Sequence, residues 1–168
     1  MHTGNQDTRT VLVVDDNPAI VALLHAIFTG ENYRVLTALA REAVRYARDC
    51  QPSVILLDIS MPELDGVQVC ERLRADPATA PIPVIALSAQ LNLRLNGSAM
   101  EADAYVAKPF DVPALVETVA TWADRRSEQA ANRARRPITL QQPAHIHNAL
   151  RERLATASTA YVCLPDTM

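Results

Sequence analysis

Short apolar runs alternate with helical patterns along the first 124 residues of the chain. The runs are rich in β-branched residues and too short for helices, so each of them predicts a buried strand. Polar or turn-forming residues follow the runs, as Asp15-Asp16-Asn17-Pro18 follows the first. The five predicted strands are Thr10–Val14, Tyr33–Thr37, Ser53–Leu57, Ile82–Leu87 and Ala104–Ala107.

Apolar residues recur at helical spacing between these strands. We expect Asn17 to cap the first helix, with Pro18 at its first position and Gly30 near its end. Asn96-Gly97 interrupts the fourth helical pattern, which therefore predicts only a short, broken helix. The other helices are expected over Arg41–Cys50, from Val67 to about Asp76, over 90–102 (the broken one), and from a cap at Asp111 past Trp122.

Five strands that alternate with five helices are typical of an α/β domain with a doubly wound, five-stranded parallel sheet. Ligands of such sheets bind at the carboxyl ends of the strands. The polar residues that directly follow strands should therefore share one site, although no comparable residue follows the second strand. They are Asp15 and Asp16 after the first strand, Asp58 after the third, Ser88 after the fourth and Lys108 after the fifth.

This set of side chains favours phosphate chemistry. Three carboxylates in one place repel one another, and a divalent cation removes that cost. Oxygen ligands suit Mg²⁺, and a lysine beside the metal suits an anionic substrate such as a phosphoryl group. A carboxylate there could act as the nucleophile and become an aspartyl phosphate. The alternative is that the acidic residues only cap helices.

Composition excludes several classes of protein. The chain has 168 residues, of which 49% are apolar and 21% charged, as in an ordinary globular domain. The apolar runs fall far short of the roughly 20 residues of a membrane helix, and the polar stretch Met1–Thr8 does not resemble a secretory signal. The chain has three cysteines, Cys50, Cys70 and Cys163. Their odd number and wide spacing do not suggest a disulfide framework, which favours a reducing cytoplasm.

Charge divides the chain into two parts. Residues 1–124 carry 9 basic and 16 acidic residues, a net −7, whereas residues 125–168 carry 7 basic and 3 acidic residues, a net +4. We therefore expect an acidic domain over 9–124, after a flexible N-terminus over 1–8, and a basic C-terminal extension over 125–168. Among the 16 basic residues Lys108 is the only lysine, which sets that position apart.

The extension shows no recognisable output domain. We expect the last helix to run on to Arg135-Arg136, followed by a linker over Pro137–Pro143 and a short helix with an apolar stripe from Ile146 to Tyr161. About 25 residues cannot form a DNA-binding helix-turn-helix with its own core. The extension is then a solvated, partly disordered segment, a helix that docks on the domain or on a partner, or a small nucleic-acid contact.

Four motifs closely resemble the receiver domain of bacterial two-component response regulators, of the CheY-like, single-domain type. The resemblance covers about residues 9–124, in order and with the family's spacing. Each motif alone is weak, but the set is highly specific. The motifs are Val13-Val14-Asp15-Asp16-Asn17-Pro18, the stretch Leu56-Leu57-Asp58-Ile59-Ser60-Met61-Pro62-Glu63-Leu64-Asp65-Gly66, Ala86-Leu87-Ser88-Ala89 and Lys108-Pro109-Phe110.

The resemblance implies a flavodoxin-like receiver fold and a role for each site residue. A histidine kinase or phosphotransfer protein would donate a phosphoryl group to Asp58. By the same resemblance, Asp16, Asp58 and the carbonyl of Ser60 would hold Mg²⁺, with Asp15 acting through water. Lys108 would pair with phosphoryl oxygens, and Ser88 and Tyr105 would move on phosphorylation. The peptide bond before Pro109 would be cis. Glu101 departs from the pattern, because the family often has glycine there.

The sequence thus predicts a phosphorylation-controlled binding module and not an enzyme. A downstream protein would read the face formed by the fourth helix, fifth strand and fifth helix. We expect a monomer or weak dimer, with no contact to nucleic acid or membrane. Two alternatives stay open: an extension that is itself a small effector, through DNA or self-association, and a Mg²⁺-dependent phosphohydrolase of the haloacid dehalogenase type. The latter needs a second Asp where Ser60 stands.

Overall fold

In the computed structural model of the chain, the described residues are 9–61, 65–89 and 101–135, the last three of them by their backbone only. They form five parallel strands in the order β2-β1-β3-β4-β5, which confirms the predicted sheet. Each strand is a short run of apolar residues, and β1, β3 and β4 are almost fully buried. The strands are β1 Thr10–Val14, β2 Arg34–Ala38, β3 Val54–Asp58, β4 Val84–Ser88 and β5 Ala104–Ala107.

The helices follow the predicted pattern in the part of the chain that the structure describes. Asn17 caps the first helix, because its side-chain oxygen accepts a hydrogen bond from the Ala19 N–H. Asp111 likewise accepts a hydrogen bond from the Ala114 N–H at the start of the last helix. The helices are α1 Pro18–Gly30, α2 Ala43–Cys50, α3 Gly66–Ala75 and α4 Val112–Arg135.

Some boundaries differ from the prediction. The helix expected from Arg41 begins as a 3₁₀ turn over Ala40–Glu42, with α2 following it. The strand expected from Ile82 begins at Val84. Pro83 lies between the two positions. It has no backbone N–H, so it cannot donate a hydrogen bond to a neighbouring strand.

Other predicted elements fall largely outside the described residues. Of the broken helix expected over 90–102, only Glu101 and Ala102 are described, and neither is helical. The N-terminus over 1–8, the linker over Pro137–Pro143 and the short helix from Ile146 to Tyr161 lie outside them entirely. No helix within the described ranges is both long and apolar enough to span a lipid bilayer.

Strand side chains alternate between two apolar layers, one on each face of the sheet. On one face, Leu12 and Val14 belong to a cluster with residues of α2 and α3. On the other face, Val11 and Val13 belong to a cluster with residues of α1 and α4. The helices contribute Ala43, Ala47, Val69 and Leu73 to the first layer and Leu24, Phe28, Leu115 and Val119 to the second. Both faces are covered, so polar side chains concentrate at the ends of the strands.

The parallel ladders bring the carboxyl ends of the strands to one edge. Val14 lies opposite Leu57, which places the next residues of β1 and β3, Asp15 and Asp58, at neighbouring positions. Ser88 at the end of β4 lies opposite Ala107 of β5, directly before Lys108. The sheet therefore gathers residues that are more than 90 positions apart in the chain.

Close packing at this edge makes Gly66 sensitive to substitution. A Cβ on Gly66 would clash with the carbonyl oxygen of Asp58 and lie 2.7 Å from the Cα of Ile59. Both neighbours are backbone atoms of the segment that carries the site. We expect Gly66→Ala to lower the free energy of unfolding in urea by about 1–3 kcal/mol through overpacking.

Gly30 supplies the matched control, because a Cβ there meets no atom within 4 Å. It is the last residue of α1, where alanine is the better helix former. Gly30→Ala should leave the free energy of unfolding unchanged or raise it by up to about 1 kcal/mol. Equal destabilisation by both substitutions would contradict the close approach of α3 to Asp58.

Candidate functional site

Asp15 is a buried carboxylate whose two oxygens are both held by the protein. It directly follows β1, and its side chain is 0% exposed. Its Oδ2 accepts a hydrogen bond from the Lys108 Nζ at 2.8 Å, and its Oδ1 accepts one from the Asn17 N–H at 2.8 Å. These bonds fix the orientation of Asp15 and engage the oxygens that a ligand would otherwise contact.

Asp58 ends β3, and only one of its oxygens is held. The Oδ1 atom lies 3.1 Å from the Lys108 Nζ and accepts a hydrogen bond from the Ser60 N–H at 3.2 Å. No donor among the described residues contacts its Oδ2. Among those residues, every side-chain oxygen or nitrogen that is fully buried has a hydrogen-bond partner. Because Oδ2 has no such partner, it is not fully buried and solvent can reach it. It is the oxygen of Asp58 that can meet a ligand.

Lys108 joins the two buried carboxylates. Its side chain is 19% exposed, and the ammonium pairs with both Asp15 and Asp58. Burial alone would lower the pKa of Lys108, but the hydrogen bonds to the two carboxylates outweigh burial and raise that pKa above its usual value. Lys108 is therefore a permanent cation, and its slim stem admits one compact charge between two carboxylates.

The acidic cluster suits a hard divalent cation. One carboxylate oxygen each from Asp15, Asp16 and Asp58 lie within 4.8 Å of one another. Lys108 neutralises only part of this negative charge, and Asp16 is exposed to solvent. Oxygen donors in this number and charge fit Mg²⁺, which commonly uses one or two carboxylates and keeps several waters. With both oxygens of Asp15 engaged, Asp16 and Asp58 are the carboxylates best able to hold such an ion.

The structure also describes four further residues that the sequence singled out. They are Ser60, Ser88, Tyr105 and Pro109. Ser60 is exposed two residues after Asp58, and a carbonyl contact from it to a metal stays a prediction. Ser88 is buried at the end of β4, and its carbonyl oxygen accepts the Lys108 N–H at 2.7 Å. Tyr105 is half-buried in β5. The Lys108–Pro109 peptide bond is cis.

Arg74 of α3 anchors the chain directly before β5. Its guanidinium pairs with Asp103 at 2.5 Å and donates to the carbonyl oxygen of Glu101 at 2.9 Å. Asp103 also accepts the Val84 N–H at 2.7 Å, which ties the start of β4 to the start of β5. These contacts set the position from which β5 delivers Lys108.

A groove beside the carboxylates involves residues that sequence analysis missed. It has a volume of about 720 Å³ and runs between α1 and the segment that follows β2. The sequence showed no charged residue directly after the second strand, yet Leu39 and Glu42 reach this edge because β2 is the neighbour of β1. The adjacency of β2 to β1 was the missing information. The groove is lined by Asp15, Asp16, Pro18, Val21, Ala22, His25, Thr37, Ala38, Leu39 and Glu42.

A family model described as "Response regulator receiver domain" matches residues 11–120. The DNA-binding dual master transcriptional regulator RpaA of Synechocystis sp. is 36% identical over 135 residues, which are 79% of this chain and 56% of that protein. The polar-differentiation response regulator DivK of Brucella ovis is 32% identical over 122 residues, which are 68% of this chain and 96% of that protein. The chain therefore spans little more than half of RpaA but nearly all of DivK.

Among solved structures, the response regulator protein TrrA of Thermotoga maritima aligns with a TM-score of 0.63 and 32% identity. The alignment covers 68% of this chain and 99% of that one. The TrrA structure is described as a complex with Mg²⁺–BeF.

The acidic cluster generates a prediction about stability. Asp16→Asn removes one of three mutually repelling charges, so the metal-free variant should be more stable than wild type by a few tenths to about 1 kcal/mol. If Mg²⁺ binds this site in the native state and not in the unfolded chain, MgCl₂ should stabilise wild type through mass action. Asp16→Asn should lose most of that stabilisation. Thermal unfolding with and without MgCl₂ measures both effects, which are of opposite sign.

Asp65→Asn is the control for this experiment. Asp65 is an exposed carboxylate that caps α3 and lies outside the acidic cluster. Asparagine caps helices about as well as aspartate, so both the stability and the response to Mg²⁺ should stay near wild type. If Mg²⁺ stabilised Asp16→Asn as strongly as wild type, Asp16 would not be a ligand.

Proposed function

Because the chain belongs to the response regulator receiver family, we propose that Asp58 accepts a phosphoryl group and that the chain signals through the phosphorylated form. One observation carries the assignment to this residue. Asp58 is a nearly buried carboxylate with one oxygen bound by Lys108 and Ser60 and the other open at the edge of the sheet. Asp15 has no such open oxygen.

The proposed donor is a phosphohistidine on a histidine kinase or phosphotransfer protein in the cytoplasm. The Oδ2 atom of Asp58 attacks phosphorus, forming an O–P bond as the P–N bond to the imidazole breaks. The ring nitrogen keeps the electron pair of that bond and takes up a proton from solvent. Lys108 and the Ser60 N–H both contact Oδ1, which leaves Oδ2 as the attacking oxygen.

Lys108 has a second task in this scheme. The incoming phosphoryl group adds negative charge beside Asp15 and Asp16, and the ammonium can pair with a phosphoryl oxygen without leaving the carboxylates. Asp16 and Asp58, with the carbonyl of Ser60, would hold Mg²⁺, which supplies further positive charge for the phosphoryl oxygens. Charge balance explains why the acidic cluster and the lysine occur together.

The phosphorylated form would be read as a shift between two conformations. Ser88 is buried at the same edge, where its hydroxyl can be drawn towards a phosphoryl oxygen. Tyr105 is half-buried in the adjacent strand and would move into the space behind Ser88. A protein partner would then recognise β5, α4 and the segment over 90–100, which is outside the described residues.

Phosphorylation of Asp58 can be measured directly. Wild type incubated with Mg²⁺ and acetyl phosphate should gain the mass of one phosphoryl group, whereas Asp58→Asn should gain none, because its amide is no nucleophile. Asp65→Asn, the control, should be modified like wild type. Intact-mass spectrometry after short incubation distinguishes the three proteins. Modification of Asp58→Asn to the wild-type extent would exclude Asp58 as the acceptor.

The same samples separate a switch from an enzyme. A phosphohydrolase would release phosphate from small phosphate esters over many turnovers, whereas the proposed switch gives at most one covalent adduct for each chain. Sustained release of phosphate that depends on Asp58 would support the phosphohydrolase instead. Removal of residues 136–168 should leave the adduct unchanged, because every site residue lies between Asp15 and Pro109.

A further inference from the structure

Helix α4 is much longer than the sheet on which it packs. Its 24 residues correspond to about 36 Å, whereas a five-residue strand spans about 17 Å. It begins at the carboxyl edge of the sheet and runs antiparallel to the strands, so its second half reaches the opposite edge. The family model ends at residue 120, so the last 15 residues of α4 lie beyond the family match.

Gln51, at the opposite edge, has an unusual backbone. It follows α2 with φ 46° and ψ 57°, in the left-handed region. Asn32 and Gln51 are the two non-glycine residues with positive φ in the described ranges. Asparagine adopts this conformation readily, but glutamine is not among the residues that favour it, and glycine is the usual choice at the end of a helix. The side chain of Gln51 should therefore have a role that glycine could not fill.

The side-chain amide of Gln51 connects both helical layers. Its Nε2 donates to the carbonyl oxygens of Arg48 and Ala78, each at 3.1 Å, which joins α2 to the segment after α3. Its Oε1 accepts a hydrogen bond from the Arg126 Nη2 of α4 at 2.9 Å. The first two partners lie on one side of the sheet, and Arg126 belongs to the helix on the other side. Gln51 thus links the helical layers on the two faces of the sheet through hydrogen bonds at one end of the sheet.

Arg126 depends on this bridge. It is half-buried, and burial lowers its pKa from the usual value. No carboxylate pairs with it in the part of the chain that the structure describes. A half-buried cation with a single neutral acceptor loses its main compensation if that acceptor is removed. Asp124 pairs with Arg9, directly before β1, so the helix is fastened twice at this edge.

The turns of α4 beyond this point have little support of their own. Residues 127–132 are all exposed, and the one side-chain hydrogen bond there runs from the Ser127 hydroxyl to the Ala123 carbonyl within the helix. No ion pair at helical spacing joins the side chains of 127–132, the part of these turns whose side chains the structure describes. A short helix that is exposed to solvent on all sides is marginal in water. Its order must come from the packed part of α4 at its base.

We propose that the side chain of Gln51 is a latch that keeps the terminal turns of α4 helical. The Gln51–Arg126 hydrogen bond fixes the turn at which α4 leaves the domain, and the turns over 127–135 propagate from it. The latch decides whether the basic residues Arg133 and Arg135 stand on a helix or on an irregular segment. The proposal concerns the opposite edge from Asp58 and does not rest on phosphorylation.

Gln51→Gly tests this role without straining the fold. Glycine adopts the left-handed backbone more easily than glutamine, which offsets the loss of the hydrogen bonds of Gln51, so overall stability should stay near that of wild type. The latch is lost, so the amides of 127–135 should exchange with deuterium at least about fivefold faster. Amides of β1 and β3 should exchange as in wild type. Exchange is followed by mass spectrometry on peptides of the full chain.

Two further variants make the result decisive. Gln129→Ala removes the same type of side chain from an exposed position on α4 and should not accelerate exchange. Arg126→Ala should reproduce the effect of Gln51→Gly, and the double variant should add nothing to it. Unchanged exchange over 127–135, equal acceleration in β1 and β3, or multiplied effects in the double variant would each overturn the latch.

Discussion

The site depends on one ammonium shared by two buried carboxylates. Asp15 and Asp58 repel each other, and Lys108 offsets that repulsion because its Nζ contacts the first at 2.8 Å and the second at 3.1 Å. Removing one partner of a buried ion pair is strongly destabilising, because it leaves an uncompensated charge. The arrangement still leaves the exposed carboxylate of Asp16 without a paired cation, so the cluster as a whole fits a further cation.

The parallel sheet is what makes this arrangement possible. The three charged groups come from the ends of β1, β3 and β5, which are separated by whole helical crossovers. Asp15 follows a strand whose neighbours are β2 and β3, so its carboxylate lies beside Asp58 and also borders the groove next to α1. Arg74 of α3 fixes the start of β5 through Asp103, which also accepts the Val84 N–H at the start of β4. The geometry of the site is therefore a property of strand order and of contacts far from the charges.

Local patterns predicted the strands, the helix caps at Asn17 and Asp111, and the edge where the polar residues meet. They could not predict which oxygen of Asp58 stays open, because that depends on Lys108, which lies 50 positions away in the chain. They also missed the groove, because the sequences of β1 and β2 do not indicate that these two strands pair with each other. Local patterns also gave Gln51 no role beyond following the helix expected over Arg41–Cys50, because its bonds to Ala78 and Arg126 depend on tertiary packing.

Helix α4 connects the Lys108 loop at one edge of the sheet with Gln51 at the other edge. Helix α4 begins three residues after Pro109 and is held along the sheet by the fully buried Leu115, Val119 and Ala123. Burial of a leucine or valine side chain is worth about 1.5–3 kcal/mol, so bending α4 away from the sheet costs several times the energy of one hydrogen bond. If the Lys108 loop is displaced, a small shift of the whole helix therefore costs less free energy than a bend in it. Such a shift would act directly on the bond between Arg126 and Gln51 at the other edge.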